Sequence, residues 1–296
     1  MSRIAYVNGR YLTHRNPAVQ IEDRGLQFAD SVYEVILVND GTFVDEDPHL
    51  ERLDRSMREI RLTPDFGRPA LKRVMREVVR RNRVEFGMIY IQVTRGTAPR
   101  SAGFPSNAKP TLILMARAMA RPESEKLARG VGVVTVPDIR WKRRDIKSTS
   151  LLPNVLAKQQ GVDAGVFDAW MIDEAGFVTE SSASNAWIVT KDKELVTRPA
   201  SSDILRGITR MTAIGLAKKL GITFVERPFT AAEAKTAKEA FQTSATICVL
   251  PVTKIDGKAI GNGRVGELTQ ALIDGYSAYA APAATAGARR RHSVAA

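Results

Sequence analysis

Leu71, Val74, Met75, Val78 and Val79 stand at i, i+3, i+4, i+7 and i+8, a spacing that gathers all five side chains on one face only if the backbone is helical. A strand would divide them between two faces. A second apolar stripe, Leu50, Leu53, Met57 and Ile60, comes just before it and opens at Asp47-Pro48, an aspartate suited to an N-cap and a proline suited to the first helical position. Arg52 lies one position from that stripe, at the boundary of the buried face. Strand-like segments flank the two helices: residues 4–7 and 10–12 around the hairpin pair Asn8-Gly9, residues 32–38 turned back at Asn39-Asp40-Gly41, and residues 88–94 and 111–116. Residues 1–118 are therefore expected to form a small N-terminal α/β domain.

Residues 119–130 are polar, contain Pro122 and read as an interdomain linker. Beyond them, short strand patterns at 131–136, 168–173, 177–179, 186–190, 194–197, 241–243 and 247–252 are interleaved with helical ones. One helix spans about 153–160. Another begins near 205–210 and ends at Gly221, a suitable C′ glycine. Thr230-Ala231-Ala232-Glu233 has the capping-box pattern for a third. The last carries Val265, Leu268, Leu272, Tyr276 and Tyr279 on one face. Residues 131–280 thus make a larger C-terminal domain, and residues 281–296, rich in Ala, Pro and Gly around Arg289-Arg290-Arg291, are expected to be a disordered basic tail.

Net charge is +12 over 296 residues, which raises the question of a polyanionic partner. The charge is spread over the two helices, the run 140–144 and the tail, and no RNA-recognition, zinc-finger or helix-turn-helix pattern accompanies it. Solvated helix faces and a bias toward anionic ligands account for it better than nucleic acid. No apolar run approaches the roughly 20 residues of a membrane helix, and the first residues lack a signal-peptide core, so a cytoplasmic protein is expected. The lone cysteine, Cys248, lies in an apolar run and reads as a small core residue. His14, His49 and His292 are the only histidines, and no metal site is expected.

The stretch 145–158 carries the chemistry that stands out. A strand-like approach delivers Lys147 and a helix leads the chain away. A lysine amine is a nucleophile when it is desolvated or placed near other cations. By residue type alone Lys147 is one of 44 Lys and Arg residues, and most such cations are solvated. A phosphate-bearing cofactor would need an anchor, neutralisation of its phosphate and control of its ring. Gly207-Ile208-Thr209 at a helix start offers free amides and a hydroxyl to a dianion, although Thr209 equally reads as a plain N-cap. Ser244-Ala245-Thr246 offers further amides, and Arg52 a positive charge. Glu180, followed by the small polar residues Ser181 and Ser182, reads either as the partner of a ring nitrogen or as a solvated turn acid. Tyr33 could be a strand aromatic. The segment 95–105, punctuated by Gly and Pro and carrying two arginines, has the character of a binding loop.

The order and wording of these segments resemble one family. Glu22-Asp23-Arg24-Gly25-Leu26-Gln27-Phe28, Val32-Tyr33-Glu34-Val35, His49-Leu50-Glu51-Arg52-Leu53, the phrase from Val93 to Arg100, Asp145-Ile146-Lys147-Ser148, Val178-Thr179-Glu180 and Ile208-Thr209-Arg210 are similar to those of class IV pyridoxal-phosphate aminotransferases. The likeness is greatest to the D-amino-acid branch. It implies the fold type IV architecture, with a small α/β domain and a larger domain built on a barrel-like mixed sheet. It also implies transamination between a D-amino acid and a 2-oxo acid by a ping-pong route. Lys147 would hold the cofactor as a Schiff base, Glu180 would bind the ring nitrogen, and Arg52, Gly207, Ile208, Thr209 and the Ser244-Ala245-Thr246 turn would hold the phosphate. Tyr33, Val35, Arg100 and Ala102 would line the substrate side, with Arg100 reaching in from the partner subunit of a homodimer.

The sequence departs from that pattern where the substrate carboxylate should bind. Arg100-Ser101-Ala102 stands in place of an Arg-x-His pair, and Ala245 replaces a common phosphate-binding threonine. Ala29 and Ser31 replace glycines before the tyrosine. Loss of the histidine keeps an (R)-selective amine transaminase in view as an alternative, together with a branched-chain L-amino-acid aminotransferase and, less readily, an aminodeoxychorismate lyase.

Overall fold

The computed structural model describes residues 3–121 and 124–282. Pro122 and the tail from residue 283 onward, where disorder is expected, lie outside the described residues. The chain opens with β1 (Ile4–Val7) and β2 (Arg10–Thr13), then a short α1 (Arg24–Phe28), β3 (Ser31–Asn39) and β4 (Thr42–Phe43). The two amphipathic helices follow as α2 (Glu46–Glu59) and α3 (Arg68–Asn82), and β5 (Phe86–Thr94) and β6 (Thr111–Ala118) complete the first sheet. Its order is β2-β1-β6-β5-β3-β4, antiparallel throughout. The stripes of both helices are buried against it: Leu50, Leu53, Met57, Leu71, Met75 and Val78 share one core with Ile36, Ile89, Ile91 and Leu114. Each such side chain contributes about 1.5–3 kcal/mol by leaving water. The helix starts differ from expectation at one point. The N-cap position of α2 is Asp45, in a left-handed conformation and without a side-chain cap bond, and Asp47 lies within the helix and pairs with Lys72.

The remaining elements are α4 (Ser124–Arg129), β7 (Val131–Pro137), α5 (Leu152–Asp163), β8 (Asp168–Ile172), β9 (Val178–Ser181), β10 (Asn185–Val189) and β11 (Leu195–Thr197), then α6 (Ile208–Lys219), β12 (Phe224–Glu226), α7 (Ala231–Ala234), β13 (Glu239–Ser244), β14 (Cys248–Ile255), β15 (Lys258–Ala259) and α8 (Glu267–Ala280). Eight strands follow the order β12-β11-β10-β13-β14-β7-β8-β9, with β15 on β14. The sheet is mixed, because β11–β12, β14–β7 and β7–β8 are parallel and the other neighbours antiparallel. It curls far enough that β9 at one end meets β10 again through the tight turn in which the Ser181 N–H donates to the Ser184 carbonyl. The result is a half-barrel. Outside it, α6 and α8 bury Ala213, Ala217, Leu272 and Tyr276 against Trp187 and Phe241. Gly221 takes φ +69° just beyond α6, the left-handed position that ends helices. Thr230 caps α7 through the Glu233 N–H, but the Glu233 carboxylate goes to Arg227 and the helix stops after one turn. Among the described residues no helix is long and apolar enough to cross a membrane.

Candidate active site

Lys147 lies between β7 and α5 without regular structure, yet its backbone is held as if it were a strand. The Tyr33 N–H donates to the Lys147 carbonyl at 2.9 Å and the Thr149 N–H to the Ser31 carbonyl at 3.1 Å, while Val32 and Ser148 form an antiparallel bridge. The Lys147 N–H in turn donates to Ser56 Oγ on α2 at 3.3 Å. The lysine is thereby fastened to the first sheet, although the helix after it packs on the second. Its Nζ stands 4.2 Å from the centre of the Tyr33 ring, within cation–π range, and the Tyr33 ring stacks on Tyr90 at 5.6 Å.

Lys147, Tyr33 and Val35 border a cavity of about 290 Å³ between the two sheets. Tyr33 and Val35 reach it together because alternate residues of β3 share a face. Glu180, Ser181 and Ser182 at the end of β9 form another part of the wall. Glu180 is buried, 5% exposed, which removes the reading as a solvated turn acid. Its Oε1 accepts from Asn185 Nδ2 at 2.8 Å and from the Leu205 N–H at 3.0 Å, and its Oε2 accepts from Arg140 Nη1 at 2.5 Å. Burial pushes the Glu180 carboxyl up, and Arg140 and the Leu205 N–H offset only part of that, so the group stays raised. The Ser181 hydroxyl is buried with no hydrogen-bond partner among the described residues.

The cavity also meets the first turn of α6, where Gly207, Ile208 and Thr209 line it. Gly207 is the N-cap and offers no side-chain bond, so the first amides keep their hydrogens for whatever enters. The glycine is required on packing grounds: a Cβ there would come within 2.1 Å of Asn185 Oδ1. Ser244, Ala245 and Thr246 face the same space, at the tight turn where Ser244 pairs with Cys248 and the cysteine takes φ +56°. Cys248 is largely covered, and burial pushes its thiol up to about 12, which suits the packing role and excludes a thiolate.

Arg52 approaches from α2 with its side chain 9% exposed. Its Nε and Nη2 grip both oxygens of Glu34 at 2.7 and 2.9 Å, and its Nη1 donates to the Arg206 carbonyl at 3.0 Å, directly before the Gly207 cap. His49 Nδ1 lies 2.8 Å from the same Glu34 carboxylate. Burial alone would raise Glu34, but Arg52 and His49 outweigh it and hold the carboxyl down at about 2. Glu34 is therefore an acceptor only, and Nδ1 of His49 carries the hydrogen.

Arg100 and Ala102 do not reach the cavity of their own chain. The Arg100 guanidinium stacks 4.8 Å over Phe28, and Arg24 holds the loop by donating to the carbonyls of Ser101 and Ala102 at 2.5 and 3.4 Å. Sequence reasoning missed Arg140, which stood in a basic run read as solvated charge. The structure corrects that reading: the side chains of Arg140 and Arg144 are 8% and 10% exposed, and both pair with the fully buried Asp138. Only the alternation with Asp138 hinted at it. Glu34 and His49 lie in segments that carry the family resemblance, but nothing local in the sequence says that they meet.

The donor set fits pyridoxal phosphate. It holds an amine, a buried carboxylate for a ring nitrogen, an uncapped helix start beside an arginine for a phosphate, and an unpartnered buried hydroxyl.

The family model described as amino-transferase class IV matches residues 31–255. The D-alanine aminotransferase of Bacillus licheniformis is 41% identical over 263 residues, covering 89% of this chain and 92% of the relative. That of Staphylococcus haemolyticus is 39% identical over 276 residues, with 93% and 96% covered. Among solved structures, the Escherichia coli branched-chain amino acid aminotransferase superposes with a TM-score of 0.88 at 23% identity, covering 95% of each chain, a likeness of fold.

Proposed function

The chain belongs to the class IV aminotransferases, and we propose that it transfers the amino group of a D-amino acid resembling D-alanine to a 2-oxo acid, using pyridoxal phosphate held at Lys147. The observation that carries the reading is that Lys147, Glu180 and the uncapped start of α6 border one cavity. The D-alanine aminotransferases that match nearly the full chain support the choice of donor.

Pyridoxal phosphate, when bound, supplies a carbonyl carbon that bonds the donor nitrogen and a ring that takes up the electron pair of the broken Cα–H bond. The residues supply the rest. Lys147 Nζ anchors the cofactor and, once displaced by the donor amine, takes the α-proton as general base. Glu180 accepts the hydrogen of a protonated ring nitrogen. The amides of Ile208 and Thr209, the Thr209 hydroxyl, the 244–246 turn and the Arg52 guanidinium neutralise the phosphate. Ser181 and Ser182 complete the wall beside Glu180.

The carboxylate of the substrate is bound by Tyr33 and by Arg100 of a second copy in a cytoplasmic homodimer, with Ala102 beside it. Support for the dimer comes from Arg100, which stacks on Phe28 and does not line its own cavity, and from the exposed apolar side chains Ile21, Leu26, Phe104, Leu152 and Val155, which a solitary chain would leave in water.

The test is direct. Cofactor-loaded protein is mixed separately with D-alanine, L-leucine and (R)-1-phenylethylamine, and the cofactor absorbance is followed. D-Alanine is expected to discharge the colour fastest. Discharge by either other amine with no response to D-alanine overturns the proposed donor. Mixing Lys147→Ala with Arg100→Ala protein tests the shared site: both are expected to be inactive alone, and activity should return in the mixture through hybrid dimers that hold one intact site.

A further inference from the structure

Arg140 occupies a position that no part of the proposed reaction has used. It follows β7 by three residues, and its fork is fully engaged. Nε and Nη2 donate to the two oxygens of Asp138 at 3.0 and 2.8 Å, and its backbone N–H donates to the same carboxylate at 3.1 Å. Asp138 is 0% exposed at its side chain, accepts from the Thr179 hydroxyl at 2.6 Å and forms an ion pair with Arg144, whose Nε lies 3.3 Å away. Asp138 therefore fixes the plane of the guanidinium and leaves Nη1 as the remaining prong. That prong points at Glu180 Oε2, 2.5 Å away.

A carboxylate has about four acceptor positions. Asn185 and the Leu205 N–H take two on Oε1, and Arg140 takes one on Oε2. One remains, on Oε2, and Glu180 borders the cavity. The nearest ionised groups form an alternating row, Glu180, Arg140, Asp138 and Arg144, and Arg140 is the only cation bonded to Glu180 among the described residues. A buried carboxylate without a cation tends to neutralise itself by binding a proton.

We propose that Arg140 is a positioning residue of the transamination reaction: it keeps Glu180 ionised and turned so that its last acceptor position is open to the ring nitrogen of the cofactor. The inference rests on the proposed function. Its consequence is that the proton between ring and carboxylate stays on the ring nitrogen, where it draws electrons from the substrate carbon. Without Arg140 the proton moves toward Glu180 and the ring accepts electrons less readily. Direct contact of Arg140 with substrate is not required.

The experiment uses the holoenzyme loaded with cofactor labelled with ¹⁵N in the ring, in wild type, Arg140→Met and Arg140→Lys. The ring-nitrogen chemical shift is read by NMR between pH 6 and 9, beside kcat and KM for D-alanine and the thermal midpoint. Wild type is expected to show a protonated ring nitrogen across the range. Arg140→Met should show its loss within that range, with kcat down by about tenfold or more, the equivalent of one unit or more in proton affinity, and KM for D-alanine within about twofold. Arg140→Lys, which keeps the cation without the fork, should restore the protonated signal in large part. An unchanged ¹⁵N shift in Arg140→Met overturns the proposal. So does loss of the protonated signal in Arg140→Lys protein that melts like wild type, and this second variant decides the matter if Arg140→Met fails to fold. Borohydride trapping separates the two levels: no cofactor fixed at Lys147 removes the proposed function and this inference with it, whereas fixed cofactor with an unchanged shift removes the inference alone.

Discussion

The backbone N–H of Tyr33 donates to the carbonyl of Lys147 at 2.9 Å, and the Nζ of that lysine lies 4.2 Å from the centre of the same tyrosine's ring. A strand of the first sheet thus sets both the height of the lysine backbone and the direction of its amine. The lysine is aimed by a partner more than a hundred residues away in sequence, and the helix that follows it contributes Asn154 to the cavity lining.

Lys147→Ala removes the amine and little else, since the bonds that hold residue 147 are made by its backbone. The expected result is a folded protein with transamination reduced by about 10³-fold or more and no cofactor retained after borohydride. Rate assays and intact mass report both.

Glu34 is placed to stabilise the fold as well as the Arg52 end of the cavity. Glu34→Gln leaves the Arg52 guanidinium buried without its anion, which costs about 3 kcal/mol, read as a lower urea midpoint at pH 7. The pH dependence follows from direction. Glu34 is held near 2 against a reference of 4.5, so its contribution is present above 4.5 and is lost as pH falls toward about 2. His49, lowered from 6.5 by burial, acts the same way, and stability falls as pH drops below that value. Glu34→Gln is expected to flatten the lower limb of the stability profile.

Gly207→Ala tests the floor of the proposed phosphate site. The new methyl would collide with Asn185 Oδ1 at 2.1 Å, and Asn185 cannot yield cheaply, because its Nδ2 donates to Glu180 and to the Leu205 carbonyl. Overpacking of this kind costs about 1–3 kcal/mol. Weaker cofactor binding by about tenfold is expected in equilibrium titration, together with a lower thermal midpoint.

Ala102→His asks whether the unusual loop limits recognition of the carboxylate. A charge-assisted bond contributes about 1.5–3 kcal/mol, so KM for D-alanine should fall by about tenfold or more. An (R)-amine without a carboxylate should show no such gain. Steady-state kinetics with the two donors separates the outcomes.

Much of the fold was legible because it is written in local period and punctuation. The stripes of α2 and α3, the Asn8-Gly9 hairpin and the glycine after α6 each concern residues within a few positions of one another, and their meaning survives any tertiary arrangement. The same holds for the wording around Lys147, Glu180 and Ile208-Thr209, which carried the family resemblance. The helix of α2 begins two residues earlier than the Asp47-Pro48 pattern indicates, with Asp45 at the N-cap position and Asp47 inside the first turn, paired with Lys72.

Sequence by itself determined the kinds of element, the family and the residues most suited to hold an amine-reactive, phosphate-bearing cofactor. Only the tertiary structure decided that Arg140 lies beneath Glu180 instead of in water, that Glu34 and His49 brace Arg52, and that Arg100 turns away from its own cavity. The physical reason is that burial and charge pairing depend on distances through space. A curled sheet brings residues 138, 140 and 180 together, and a strand from the first sheet holds residue 147, through contacts that no local spacing encodes.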